Sequence, residues 1–200
     1  MDTDTLIYYA MMAAASLISI TLHECAHGYT ALLMGDDTAK NNGRLTLNPI
    51  KHIDLFGLIM LIVMRIGWAK PVPVNPNNFT ERKKGMFLVS IAGPLTNMLL
   101  AVIAGRLAVF FYAMDLNYYL IMFLLLFTRL NLGYGIFNIL PFPPLDGSKL
   151  FASLLPVKWE IFFYKYQKYF YFVLIILYFI GALDVILYPA ITFLYELILS

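Results

Sequence analysis

The sequence has little charge and almost no cysteine. Charged residues make up 13% of the 200 positions, about half the share found in an average soluble domain, and the mean hydropathy is +0.76. The lone cysteine, Cys25, excludes an internal disulfide bond. A chain this apolar belongs in a lipid bilayer, and we expect it to have no nucleic-acid partner.

Four apolar runs reach the roughly 20 residues that a membrane-spanning helix needs. They predict an all-α integral membrane protein, a single domain over residues 1–200, built as a bundle of transmembrane helices at about 6–34, 85–114, 117–140 and 169–188. A fifth run, 190–199, follows Pro189 and is too short to cross. We therefore expect a short C-terminal hydrophobic helix that half-spans the membrane or lies at its surface.

The segment between the first two predicted spans, about 55–76, is partly apolar but is interrupted by Arg65 and Gly67. It predicts a membrane-dipping loop or a small β-hairpin. The prolines in Lys70-Pro71-Val72-Pro73-Val74 favour an extended edge strand. Such an edge could receive an extended substrate by strand addition, or the hairpin could merely seal the site from lipid.

Basic residues are distributed unevenly, because 12 of the 14 lie between predicted spans one and two or between spans three and four. Lys and Arg in short loops mark the cytoplasmic side, so both segments are predicted in the cytoplasm and the N-terminus outside. The first five residues lack the basic leader of a signal peptide, and we expect the first helix to be retained. The localisation predicted is a multi-pass protein of a bacterial or archaeal cell membrane.

The first predicted span contains the pentapeptide His23-Glu24-Cys25-Ala26-His27. Two histidines four residues apart lie on one face of a helix and can chelate one metal ion, while Glu24 points about a quarter-turn away, where it can act on a metal-bound water. Ionisable groups in an apolar span predict a functional site, although the histidines could instead be hydrogen-bonded core residues. The pair belongs to a polar stripe that must face protein or water: Ser16, Ser19, His23, His27 and Thr30.

A catalytic zinc ion usually has three protein ligands, so a third ligand has to come from another segment. Four residues near the predicted inner ends of the helices are candidates: His52, Asp54, Glu81 and Asp146. Asp146 is the strongest, because it ends a run whose three prolines force an extended backbone where the third span stops. Broken backbone at membrane depth is tolerated where it lines a cavity, and Gly147 permits a tight turn. The alternative is an ordinary helix exit with a solvated Asp146.

Three motifs together resemble the site-2 protease family of intramembrane zinc metalloproteases: HECAH at 23–27, AGPLTN at 92–97 and NILPFPPLDG at 138–147. Segments 43–49 and 67–74 extend the resemblance to roughly residues 20–150. No segment between spans could hold a PDZ domain, so the chain is similar to the compact branch of the family. The resemblance implies that His23, His27 and Asp146 bind zinc and that Glu24 is the general base.

The resemblance also implies that Asn97 helps to hold substrate or to stabilise the oxyanion, since a side-chain amide can donate to developing negative charge. A hydrogen bond between helices is the alternative for Asn97, and Asn138 is a weaker candidate for the same surroundings. Arg129 lies near mid-span with no partner that the sequence identifies. We expect it to be structural or gating rather than catalytic.

These observations predict an intramembrane zinc metalloprotease with one Zn²⁺ per chain, which hydrolyses peptide bonds in membrane-embedded segments through a Glu-activated zinc-bound water. Its expected partners are a transmembrane protein or peptide substrate and the lipid bilayer, with the active site toward the cytoplasm. A transmembrane zinc transporter and a catalytically silent binder of transmembrane helices are the alternatives. The role of Glu24 and the scarcity of ligands in the outer half of the bundle favour the protease.

Overall fold

A computed structural model describes residues 2–57 and 69–200. Within those two ranges the protein is all helical and has no strand, which confirms the predicted all-α class. Two 3₁₀ turns, Pro49–His52 and Pro76–Asn78, lie between the first two long helices. The α-helices are α1 Thr3–Leu33, α2 Thr38–Asn41, α3 Arg82–Ala113, α4 Tyr118–Ile139, α5 Asp146–Leu154, α6 Val157–Phe179 and α7 Ala182–Leu199.

Four of these helices, α1, α3, α4 and α7, are long and apolar enough to cross a membrane. The predicted spans 6–34, 85–114 and 117–140 agree with α1, α3 and α4 to within three residues at each end. The described chain is therefore that of a multi-pass membrane protein.

The fourth predicted span, 169–188, has the wrong bounds. Helix α6 ends at Phe179 and α7 begins at Ala182, with Gly181 between them at a φ of 73°. That left-handed conformation suits glycine and ends a helix, which summed hydropathy does not detect. The candidate span is α7, in which Pro189 is an internal residue, so the predicted short helix at 190–199 is the second half of an 18-residue helix.

Helix α3 lies at the centre of the bundle and packs against α1, α4, α5 and α7. Small residues make these approaches possible. Ala101 and Ala104 are almost completely buried, and a Cβ at Gly135 of α4 would lie only 3.2 Å from the Pro94 carbonyl oxygen of α3. Without a strong hydrophobic drive between helices in lipid, close packing of this kind holds membrane helices together.

The chain between α1 and α3 passes across α1 as an extended segment, residues 70–75. Its Lys70 N–H donates to the His52 carbonyl at 2.9 Å, beside an isolated antiparallel bridge between Ile53 and Ala69. A Cβ at Gly28 would overlap Leu45 and lie 3.1 Å from Val72, so glycine lets the segment approach α1. The predicted membrane-dipping loop or β-hairpin falls largely on residues 58–68, outside the described ranges, and stays a prediction.

Candidate metal centre

His23 and His27 lie side by side on α1, each 7% exposed, with ring centroids 4.6 Å apart. They are one turn apart, as the HExxH spacing requires. The polar stripe of α1 faces protein, because Ser19 is fully buried against α4 and Ser16 accepts a hydrogen bond from the Tyr134 hydroxyl at 3.1 Å. Several large apolar side chains of α1 are exposed, among them Leu6, Tyr9 and Ile18.

Asp146 reaches the histidines because the chain turns back sharply after α4. The helix ends at Ile139, the proline run follows with a cis peptide bond between Pro143 and Pro144, and Asp146 is the first residue of α5. A Cβ at Gly147 would overlap the backbone of Ile139. Glycine is therefore required by the close approach of two backbones.

The ring nitrogens and the carboxylate form a nearly equilateral triangle. His23 Nε2 lies 3.1 Å from Asp146 Oδ2, His27 Nε2 lies 3.0 Å from the same oxygen, and the two Nε2 atoms are 3.0 Å apart. Ligands about 2.0–2.1 Å from a tetrahedral zinc ion lie roughly 3.3 Å from one another, so the triangle is close to one face of such a shell. Among the described residues, no other His, Cys, Asp and Glu side chains form such a cluster.

Hydrogen bonds to the outer nitrogens direct both Nε2 atoms inward. His27 Nδ1 lies 2.7 Å from the Val89 carbonyl oxygen, which can only accept, so Nδ1 carries the proton. His23 Nδ1 lies 2.6 Å from Asn97 Oδ1 in the equivalent arrangement. In the neutral rings both Nε2 lone pairs then face a carboxylate with no hydrogen between them. Three converging electron-pair donors fit a bound cation, as histidine ligands of zinc commonly show.

Asp146 is a carboxylate in this setting. Burial raises the pKa of the Asp146 carboxyl, whereas the positive charge of nearby Lys149 lowers it and favours the carboxylate form. Lys149 stands one turn along α5, with Nζ 3.7 Å from Asp146 Oδ1. The second carboxylate oxygen is the one that faces the two histidines.

Glu24 points away from the histidine pair toward the extended segment. Its Oε2 accepts a hydrogen bond from the Val72 N–H at 2.7 Å. Glu24 borders a cavity of about 290 Å³ together with His27, Val72 and Asp146. The carboxylate and two of the three candidate ligands therefore face one space.

Gly93 is a site residue to which sequence reasoning assigned no role, although it lies in the AGPLTN motif. A Cβ at this position would lie 2.5 Å from His27 Nε2 and 2.6 Å from His23 Nε2. Such distances are too short for any side chain, so only glycine allows α3 to pass against both imidazoles. The signal available in the sequence was a glycine one residue before the internal proline of a span.

Asn97 lies at the centre but not in the cavity. The residue is fully buried, its Oδ1 faces His23, and its Nδ2 donates to Asn131 Oδ1 at 2.8 Å. This geometry gives Asn97 a hydrogen bond between helices, as in the alternative interpretation, because the register of α3 directs the side chain into the bundle. The predicted contact with substrate or oxyanion stays a prediction.

The remaining candidates are engaged elsewhere. Arg129, for which the sequence identified no partner, lies 5.8 Å from the ring centroid of Tyr188 in a cation–π contact. Four polar candidates bind nearby groups: His52 Nε2 donates to the Thr46 carbonyl at 2.8 Å, Asp54 accepts from the Gly57 N–H at 2.7 Å, Glu81 pairs with Lys84 at 3.0 Å, and Asn138 donates to the Tyr134 carbonyl at 3.0 Å.

The fold and the site define a multi-pass membrane protein with a buried cluster of two histidines and one carboxylate. The model of peptidase family M50 matches residues 107–181, a range that includes Asp146. The Bacillus subtilis protein named "Putative zinc metalloprotease YwhC" is 43% identical over 164 residues, which cover 76% of this chain and 75% of that protein. The chain belongs to peptidase family M50, the site-2 protease family of intramembrane zinc proteases. It is a zinc metalloprotease, and its cofactor is zinc.

More distant relatives carry similar names. The Mycolicibacterium smegmatis protein named "Putative zinc metalloprotease Rip2" is 35% identical over 147 residues, or 70% of this chain and 55% of that protein. "Zinc metalloprotease MJ0392" of Methanocaldococcus jannaschii is 24% identical over 153 residues, or 76% of this chain and 37% of that protein. The chain thus spans about half or less of these longer relatives. No solved structure matches it.

Proposed function

We propose that the protein hydrolyses peptide bonds in membrane-embedded substrate segments. In this proposal His23, His27 and Asp146 hold one Zn²⁺, and Glu24 is the general base. The observation that carries this proposal is the convergence of two ring nitrogens and a carboxylate oxygen within 3.0–3.1 Å. Both outer ring nitrogens are already hydrogen-bonded, so among the described residues the inner ones face only each other and Asp146, an arrangement that a cation would satisfy.

Zinc in such a site supplies Lewis acidity and lowers the pKa of a coordinated water to about 7. Glu24 lies on the wall of the same cavity, where its carboxylate can take a proton from the attacking water and deliver it to the leaving amine. The Val72 N–H holds one carboxylate oxygen at 2.7 Å, which fixes the direction in which the other oxygen is presented. The extended segment therefore orients the base.

The same hydrogen bonds limit strand addition at the extended segment. Pro71 and Pro73 have no N–H, Lys70 donates to the His52 carbonyl, and Val72 donates to Glu24. A substrate strand would then depend on the carbonyl oxygens and on at most one N–H of residues 70–74. This favours a segment that closes and orients the site over one that supplies a full ladder of hydrogen bonds to substrate.

The substrate class follows from where the cavity lies. The histidine pair is on a helix long enough to cross a membrane, and the cavity wall includes residues from α1, α3 and α5. A helical peptide bond is internally hydrogen-bonded, so a transmembrane substrate has to unwind before Glu24 can act on it. A zinc transporter is less well supported, because conduction needs a series of sites and the described residues form one cluster.

The test compares Glu24→Gln with wild type on a single-span substrate in detergent, with zinc content measured in parallel. Because the loss of a general base commonly slows a reaction by about 10²–10⁴-fold, we expect cleavage to fall by that amount while zinc is retained. The exposed Glu196→Gln on α7 is the matched control and should leave both readings unchanged. Unchanged cleavage by Glu24→Gln would remove Glu24 from its role.

A further inference from the structure

A row of buried polar side chains connects three helices behind His23. Asn97 on α3, Asn131 on α4 and Ser19 on α1 are each fully buried. The Asn97 amide donates to Asn131 Oδ1 at 2.8 Å, and the Asn131 amide donates to Ser19 Oγ at 2.8 Å and to the Phe127 carbonyl at 2.9 Å. Burying polar groups among apolar helices is unfavourable unless each is satisfied, and here each has a partner.

The groups around Asn131, at the end of the row away from His23, determine which atom donates and which accepts in each hydrogen bond. An asparagine amide can be turned either way, and its partners decide which end is the oxygen. The Phe127 carbonyl can only accept, so it faces the NH₂ group of Asn131. Ser19 gives its single hydroxyl proton to the Ala15 carbonyl at 2.7 Å, so toward Asn131 it also accepts. Two acceptors therefore orient Asn131 in the same way.

The orientation of Asn131 also determines which nitrogen of His23 donates a hydrogen bond. Asn131 Oδ1 is left facing Asn97, and an oxygen there requires the NH₂ group of Asn97 as its donor. Asn97 Oδ1 is then left facing His23 Nδ1 at 2.6 Å, which has to donate. His23 Nδ1 thus carries a proton, and Nε2 is the ring nitrogen that faces Asp146 and His27.

His27 does not share this dependence. Its Nδ1 donates directly to the Val89 backbone carbonyl at 2.7 Å, which no side-chain substitution removes. A main-chain carbonyl therefore holds the Nδ1 proton of His27, whereas two asparagines hold that of His23. A change in the asparagine row should affect His23 alone.

We propose that Asn131, whose described hydrogen bonds do not include His23, is a positioning residue that acts through Asn97 to hold a proton on His23 Nδ1 and direct Nε2 to the metal. The placement of the proton is a property of the metal-free chain. Its consequence for zinc binding rests on the proposed function, in which His23 is a ligand. Without Asn131, Asn97 is free to turn, and its NH₂ group can then face His23 and favour the other tautomer.

The experiment measures the ring ¹⁵N resonances of the full-length, metal-free chain in detergent, which report the protonation of Nδ1 and of Nε2 separately. The chain has only 3 histidines, which single substitutions assign. His52 provides an internal reference with a proton on the other ring nitrogen, because its Nε2 donates to the Thr46 carbonyl at 2.8 Å. In wild type we expect protonated Nδ1 in both His23 and His27.

Asn131→Leu should reduce the protonation of His23 Nδ1 and leave that of His27 Nδ1 unchanged. The matched control is Thr128→Val, because Thr128 is also fully buried on α4 and donates to a carbonyl four residues earlier, that of Leu124, at 2.7 Å. This control should leave both rings unchanged. Asn131→Ser replaces Asn131→Leu if the larger side chain disturbs the His27 signal, since a serine can still bond the Phe127 carbonyl but withdraws the partner of Asn97.

Zinc titration of the same variants is the second readout. Residues that orient a metal ligand commonly contribute about 10–100-fold to metal affinity, so we expect a loss of that size for Asn131→Leu and none for Thr128→Val. A wild-type His23 with an unprotonated Nδ1, or a His23 signal that Asn131→Leu and Asn131→Ser leave unchanged, would overturn the inference. If His23→Gln binds zinc normally while the tautomers behave as expected, the proposed ligand set fails and the asparagine row stands.

Discussion

The absence of a Cβ at Gly93 makes room for the two imidazoles of the candidate metal centre. Helix α3 passes so close to α1 that a methyl group at position 93 would lie 2.5–2.6 Å from both Nε2 atoms. The rings cannot simply move away, because His27 is held by Val89 and His23 by Asn97 through hydrogen bonds of 2.6–2.7 Å. Space for two imidazoles is thus obtained by leaving a side chain out.

We expect Gly93→Ala to displace one or both imidazoles and to lower zinc affinity by about 10-fold or more, measured by competition with a chelator. Gly133→Ala on α4 is the matched control, since the nearest atom to a Cβ there is 3.8 Å away, an ordinary contact. It should bind zinc like wild type and gain about 0.5–1 kcal/mol in helix stability. Zinc affinity that Gly93→Ala leaves intact would contradict the contact argument.

Among the elements, the junction between α1 and the extended segment depends on one buried carboxylate. Asp36, just past the end of α1, is fully buried. It accepts hydrogen bonds from the Asn75 N–H at 2.7 Å, the Asn78 amide at 2.8 Å and both the N–H and the hydroxyl of Thr38. Burial raises the pKa of Asp36, but these hydrogen bonds lower it by more, below the ordinary value of 3.8.

Asp36→Asn should lower the free energy of unfolding by roughly 1.5–3 kcal/mol at neutral pH, because hydrogen bonds to a charged acceptor are lost. The folded state lowers the pKa, so this stabilisation is complete above the unfolded value and is lost as the pH falls through the lowered pKa. The wild type and Asp36→Asn should therefore converge in acid. Thermal unfolding in detergent from about pH 7 down to pH 3 measures the difference.

The exposed neighbour Asp37 makes no side-chain capping hydrogen bond, so Asp37→Asn is the control and should stay close to wild type. A difference between wild type and Asp36→Asn that is the same at every pH would show that the carboxylate charge is not the cause. Because Asn75 is the last residue of the extended segment that bears Val72, loosening this junction should also weaken the hydrogen bond from Val72 to Glu24.

At the scale of the whole molecule, the orientation in the membrane remains a prediction from charge. Most basic residues lie on one side of the helices, and the rule that positive loops stay in the cytoplasm places the N-terminus outside. The two ends of α3, near Arg82 and near Ala113, then lie on opposite sides. The loop that carries α2 should be cytoplasmic, and the turn between α3 and α4 should be external.

Cysteine labelling tests this orientation with two uncharged, exposed positions, Asn41 in α2 and Met114 after α3. In intact cells a membrane-impermeant maleimide should label Met114→Cys at once and Asn41→Cys only after permeabilisation. The wild type gives the background, because its single cysteine, Cys25, is 4% exposed. Equal labelling of both variants from one side would overturn the charge argument.

The sequence predicted the bounds of a span well where a helix ends at a change from apolar to polar residues. It predicted them poorly where a helix ends within an apolar run. Spans α1, α3 and α4 are bounded by polar or turn-forming residues, so their ends agree to within three residues. The boundary between α6 and α7 is a backbone turn at Gly181 inside an apolar run, which hydropathy does not register. Within the site, a carboxylate after the prolines was identified, whereas Gly93 and Asn131 were not, because their roles depend on contacts between helices.

The sequence by itself determined what is local. The spacing of His23 and His27 places both rings on one helix face, and the prolines after α4 end that helix before Asp146, because both effects arise from backbone geometry within a few residues. Only the tertiary structure decided that Asp146 lies 3.0 Å from a histidine 119 residues earlier, and that Asn131 orients Asn97 against His23. Those distances are set by how closely and in which register α1, α3 and α4 pack, and that depends on many small contacts at once.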